Sequence, residues 1–331
     1  MADKPRISFS TNPNPRNRAL IDGLISIDGY DLEYVGDKYS AGEIHYRFVQ
    51  GEFDVAEMST ATLMRAKEKG KRFLALPVFF QRGPRQRNIF FCAGKLKHPS
   101  ELKGKQIGAF RYGATAVSWA RGYLLDEHGI KTTDVGWFVS GQEVFIGNEL
   151  PVKVERLDPP PPFGQEKPHL AKLLGEGKLG AALVAGDSGY PGLFGGGVLP
   201  AVMGQVPGVK PLFDDTDEII RYVKRTQIYP IIHIMTIKEE TVEKYPDLAA
   251  KLIEAFREAN RLAPKYFKNG DATGYAKERD VLGYDPYACV LTDADKKSIQ
   301  ALNRYQIEQG LVKKEIPLES LFVKEAFRKN G

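Results

Sequence analysis

The 331-residue sequence predicts an α/β protein of two lobes, each a mostly parallel sheet flanked by helices, joined by a two-strand hinge. Three observations carry this expectation. Strand-like and helix-like segments alternate through the first 93 residues, the order that builds parallel sheets. A second alternating series starts near His98, and a long apolar run from Ile228 to Ile237 then returns the chain to the first. The length also exceeds what one compact core usually serves.

The elements follow in order. Arg6 to Ser10 and Tyr30 to Val35 alternate with a period of two and predict strands, with a short helix from Arg18 to Ile25 between them. His45 to Val49 reads as a helix end, with Gly51 as its capping glycine. Phe53 to Met58 predicts a strand and Ser59 to Lys69 a helix that Ser59 or Thr60 can cap. Phe73 to Phe80 is an apolar strand broken at Pro77. In the second series, Pro99 to Gly104 forms a turn, Gln106 to Phe110 a strand, Thr115 to Glu127 a helix, and Trp137 lies in the next strand. Four consecutive prolines make Leu157 to Lys167 an extended loop. His169 to Gly175 is a short helix, Gly180 to Asp187 a buried strand ending in a turn, and Gly189 to Gly197 a surface connection. Pro246 to Phe267 carries one apolar stripe of Leu248, Leu252, Ile253, Phe256 and Leu262 and predicts a long helix. Thr292 caps a last helix from Asp293 to Gly310. One lobe therefore comprises residues 1–94 and 233–331, the other 95–232, with the ligand cleft between them.

Composition removes several functions. Hydrophobic content of 42% and charged content of 27% exclude a disordered chain. No apolar run reaches the roughly 18 residues of a membrane span. The N-terminal residues show no apolar signal region, so a cytoplasmic location is expected. The net charge of +5 is spread among acidic residues with no basic tract, which argues against nucleic acid as a partner. Cys92 and Cys289 have no spacing that favours a disulfide, and the five histidines form no zinc motif.

Five motifs in order carry a resemblance. They are Arg16-Asn-Arg18-Ala-Leu-Ile-Asp22-Gly23, Gly51-Glu-Phe-Asp-Val-Ala-Glu57-Met-Ser59 and Pro77-Val-Phe-Phe-Gln-Arg82-Gly-Pro-Arg85. Tyr112-Gly-Ala-Thr115-Ala-Val-Ser-Trp119-Ala-Arg121-Gly122 and Arg225-Thr226-Gln-Ile-Tyr229-Pro230-Ile-Ile-His233 complete the set. With these, the chain resembles the 4,5-dihydroxyphthalate decarboxylase family from about residue 6 to about residue 326. The resemblance implies a type II periplasmic-binding-protein-like architecture converted to a decarboxylase of a hydroxylated aromatic, phthalate-like acid. The chain departs from the family pattern at Asn14-Pro15 and at Arg85-Gln86-Arg87, losing an acid and a histidine and gaining an arginine.

Such a substrate brings two carboxylates, which arginine holds with two parallel hydrogen bonds. Arg16, Arg18, Arg82, Arg85 and Arg87 follow predicted strands, and the resemblance favours Arg16, Arg82 and Arg85 among them. Loss of CO2 from the ring needs groups that move protons; Glu57 and His233 are the candidates. Ser59, the helix start at Thr115, the rings of Tyr112 and Trp119, and Asp187 complete the expected substrate contacts, Trp119 reading equally well as core. No cofactor is expected, although Glu57, Asp187 and a catechol's oxygens leave a divalent metal open. The oligomeric state, a homo-oligomer included, is open as well. A non-catalytic binding protein for an aromatic or other organic anion is the alternative, since one fold hosts both. An enzyme acting on a thiamine-precursor-like substrate would share the architecture but has no motif here.

Overall fold

The computed structural model describes residues 4–186, 201–268 and 270–328. The connection expected at Gly189 to Gly197, and Asp187, lie outside the described residues. In chain order the strands are β1 (Arg6–Ser10), β2 (Asp31–Tyr34), β3 (Val55–Ser59) and β4 (Phe73–Arg82). They continue as β5 (Ile89–Cys92), β6 (Gln106–Ala109), β7 (Gly136–Val139) and β8 (Val154–Arg156). The last three are β9 (Ala181–Leu183), β10 (Val209–Pro211) and β11 (Ile231–Lys238).

Two sheets result, ordered β2-β1-β3-β11-β4 and β10-β5-β9-β6-β7-β8. Pairing is parallel around β1 and β6 and antiparallel where β11, β4, β5 and β10 join. β3 is buried along its whole length, as a central strand covered on both faces must be. The β4–β11 ladder loses register between Ala75 and Phe79, around Pro77, which has no N–H to give it. Each sheet nucleates its own core. Phe9, Val55, Met58, Ile234 and Phe256 anchor the first, and Ile89, Phe90, Ile107, Trp137 and Leu183 the second.

The chain passes from the first sheet to the second between Arg82 and Ile89, ahead of the boundary expected at residue 94, because β5 already pairs with β9 and β10. It returns just before Ile231, and the Gly83 N–H donates to the Pro230 carbonyl at 3.0 Å, tying the two passages together. The sequence reading also missed the helices Thr216–Thr226 and Asp271–Leu282. No helix among the described residues is long and apolar enough to cross a membrane.

The helices Thr115–His128 and Asp293–Glu308 lock the two lobes. Gly122 permits their close approach, since a Cβ there would sit 2.4 Å from the Tyr305 ring. Gln306 Nε2 donates to Ser118 Oγ at 2.7 Å, and Arg121 Nε to Gln309 Oε1 at 3.0 Å. At the outer end, Asp126 accepts from Arg304 at 2.6 Å and from the Tyr305 hydroxyl at 2.5 Å.

Partial burial would raise the Asp126 carboxyl, but its bonds from Arg304 and Tyr305 hold it below its ordinary 3.8. A carboxyl depressed on folding stabilises the fold above the unfolded value, and this is lost as pH falls through the folded one. Asp126→Asn should therefore lower the melting temperature at pH 7 by about 2 °C, and calorimetry should show the deficit shrink below pH 3.8. An equal deficit at both pH values would remove the ion pair as its source.

Candidate active site

One cavity lies between the lobes, with about 960 Å³ of empty space including its open mouth. Three helix starts from both lobes converge on it. Ser40, Ala41 and Gly42 open the helix Ala41–Val49, Ser59 caps Thr60–Glu68, and Ala114 caps Thr115–His128; all line the cavity. Free backbone N–H groups and aligned peptide dipoles at such starts favour an anion. The Thr115 hydroxyl meets the Ser59 hydroxyl at 2.6 Å and accepts the Ala61 N–H at 3.0 Å, so two of these starts touch.

Arginines add to this potential. Arg85 and Arg65 line the cavity, are buried, and have no acidic partner among the described residues; burial pulls both guanidinium groups down to about 10. Arg65 bonds instead to the Phe145 carbonyl at 2.9 Å, Gln306 Oε1 at 2.9 Å and Thr62 Oγ1 at 3.0 Å. Arg85 Nε has no hydrogen-bond partner. Arg111, also in the lining, is neutralised by Glu166. Glu143, in the same lobe as Arg111, accepts the N–H groups of Tyr112 at 2.5 Å and Gly113 at 3.1 Å.

The proton-handling corner is built by strand pairing. β11 runs antiparallel to β3, with His233 opposite Ser59 and Met235 opposite Glu57. His233 Nδ1 lies 2.6 Å from Glu57 Oε1. The other carboxylate oxygen accepts Thr11 Oγ1 at 2.6 Å and the Asn12 N–H at 3.0 Å. Glu57 is 1% exposed. Burial pushes its carboxyl up, but the bonds from His233, Thr11 and Asn12 outweigh this and leave it below the usual carboxylate value. It is therefore an anion at neutral pH. The His45 ring stands edge-on to that of His233 at 4.7 Å. Burial, with His233 and Arg111 nearby, keeps His45 well below the ordinary histidine value and hence neutral. Among the described residues, His45, Glu57 and His233 are the group whose donor atoms lie close enough for a metal ion.

The structure sorts the expected residues. Ser59, Arg85, Thr115 and His233 line the cavity, with Glu57 directly behind His233. The others lie elsewhere. Arg82 is buried against Asp295 at 2.6 Å and also donates to the Pro286 and Tyr229 carbonyls. The Arg16 guanidinium is buried between the rings of Tyr275 and Tyr287, 3.8 and 3.4 Å from their centroids. Arg18 pairs with Asp22 on the surface, and Arg87 with Asp214. Tyr112 packs edge-on against Trp137 in the second core. Trp119 packs in the first core, where its Nε1 donates to the Ile231 carbonyl. Asp187 is outside the described residues. The sequence reading passed over His45, Arg65 and Arg111. Arg111 follows the carboxyl end of a predicted strand, a position that could have marked it.

No protein-family model matches the chain. It is 28% identical over 280 residues to the 4,5-dihydroxyphthalate decarboxylase of Comamonas testosteroni, across 82% of this chain and 79% of that one. It is 32% identical over 144 residues to the enzyme of that name from Pseudomonas putida, across 43% of this chain and 55% of the relative. In fold it is similar to the aliphatic sulphonate binding protein SsuA of Escherichia coli, with a TM-score of 0.59, 14% identity, and coverage of 97% and 93%. The desulfurization enzyme DSZB gives a TM-score of 0.53 at 13% identity, covering 98% and 97%. The chain is thus a homologue of 4,5-dihydroxyphthalate decarboxylase with the type II periplasmic-binding-protein fold.

The two arginines at the end of β4 should separate on mutation. The Arg82 and Asp295 side chains are 0% and 2% exposed, and removing one partner leaves a buried charge unpaired. Arg82→Ala should cost about 3–5 kcal/mol of stability, measured by chemical denaturation. Arg85→Ala, which leaves no buried partner behind, should cost much less. Equal losses would contradict this division.

Proposed function

We propose that this homologue of the 4,5-dihydroxyphthalate decarboxylases removes CO2 from a small hydroxylated aromatic acid bearing a second carboxylate. The observation that carries the reading is that His233, paired with the buried Glu57 behind it, and the buried Arg85, which has no acidic partner among the described residues, line one cavity. The first can move a proton and the second can hold a carboxylate.

Arg85 and the converging helix starts would hold the carboxylates, with Arg65 adding positive potential. His233 would take the proton of a ring hydroxyl para to the departing carboxylate, its ring fixed by Glu57. Glu57 does not line the cavity, so its part is to position and polarise His233. The electron density sent into the ring lets the carboxyl-bearing carbon accept a proton from water in the cavity, and the phenolate later recovers its own proton from His233. The C–C bond then breaks, CO2 leaves, and its bonding pair restores the aromatic ring. One proton replaces one CO2, and no electron acceptor is needed.

A second reading has its own support: SsuA, the binding protein named above, shares this fold. The same assay separates the two. The purified chain incubated with 4,5-dihydroxyphthalate should release CO2 and one equivalent of a dihydroxybenzoate, followed by chromatography. His233→Asn should abolish turnover with little change in affinity. Arg85→Ala should weaken binding by about 2 kcal/mol, roughly thirtyfold. Thermal stabilisation by the acid without turnover in the unmutated chain would replace the enzyme with a binding protein.

A further inference from the structure

His45 is 3% exposed, lines the cavity, and its Nε2 has no hydrogen-bond partner. A buried ring nitrogen left this way carries its full desolvation penalty, unlike nearly all buried polar groups. It is also not alone. One donor atom from each of His45, Glu57 and His233 lies within 4.8 Å of the other two. The three come from the helix Ala41–Val49, β3 and β11, elements fixed by the first sheet and its core. Two imidazoles and a carboxylate are a ligand set of catalytic zinc centres, which keep a further position open.

We propose that His45, Glu57 and His233 bind one divalent transition-metal ion of the zinc class, whose open coordination faces the cavity and takes the adjacent hydroxyl oxygens of a catechol-type ligand. The surroundings fit a cation. Thr11 and Asn12 orient the carboxylate from behind, the supporting contacts that metal-ligating groups usually have. Arg111, a lining cation whose charge acts on His45, is paired with Glu166. Zinc–ligand bonds of about 2.0–2.2 Å would draw the two rings toward the carboxylate. The 2.6 Å His233–Glu57 hydrogen bond would open, and its proton would leave on loading. The choice of a catechol-type ligand rests on the decarboxylase reading and deepens it. A bound ion would carry the phenolate charge that otherwise depends on His233 accepting a proton.

The test is titration of the chelator-stripped full chain with Co2+, a spectroscopic stand-in for Zn2+, by calorimetry and visible absorption. One ion per chain should bind, with the strong visible bands of a low-coordinate, nitrogen-ligated Co2+. His45→Gln and Glu57→Gln, checked for folding by circular dichroism, should each weaken binding at least about 100-fold. Added catechol should shift the bands. No saturable binding by the unmutated chain, or binding that both variants leave unchanged, overturns the site. Bands that catechol leaves unmoved overturn the ligand assignment. Because binding is read without turnover, its failure leaves the decarboxylase reading standing, and a failure to release CO2 leaves the metal site standing.

Discussion

A carboxylate that is 1% exposed can stay ionised only if its surroundings replace the water it has lost, and Glu57 imposes that constraint on the whole first lobe. Thr11 and Asn12, just past the end of β1, serve one oxygen; His233, on the strand that returns from the second lobe, serves the other. Three stretches far apart in sequence must therefore be in register before the charge is tolerated. β11 can supply His233 only if it lies antiparallel beside β3, and it does so because the chain has left for the second sheet and come back. Fold and site thus share one requirement.

The rest of the cavity follows from electrostatics. A binding corner that contains an anion cannot also attract anions unless positive potential dominates elsewhere. Here it comes from the helix starts, Arg85 and Arg65, while Arg111 is offset by Glu166. The distinction between Arg82 and Arg85 shows how local the division is. Three residues apart at one strand end, the first is paired with Asp295 and bonded to two carbonyls, and the second has no acidic partner among the described residues.

That distinction is also where sequence reading stops. Alternation and apolar stripes made the strands of the first sheet, the helix from Thr115 and the returning strand legible, because period and burial are local properties. The partner of Arg82 lies 213 residues away, and that of Glu57 lies 176 away, so nothing near either residue announces it. His45 looks like an ordinary residue of an amphipathic helix until β11 places His233 against it. The helix Thr216–Thr226 was legible and overlooked: Asp215 accepts the N–H groups of Asp217 and Glu218, an N-cap readable in the sequence. By contrast, Asp271–Leu282 buries only Gly274, Tyr275 and Glu278 and has almost no apolar stripe to read.

Binding and catalysis place different demands on one scaffold. An anion receptor needs arginine and helix starts, and both are present here. It gains nothing from a buried carboxylate, which weakens the potential that draws the anion in, nor from a second buried imidazole without a partner. Groups that oppose stability and affinity are retained where chemistry uses them. In this chain they are gathered in one corner, His45, Glu57 and His233, while the binding elements occupy the rest of the cavity. Under the proposed decarboxylation, the arginines and helix starts would meet the carboxylates of an aromatic acid and the His45, Glu57 and His233 corner its hydroxyls, and only that corner would have a role that binding alone does not require.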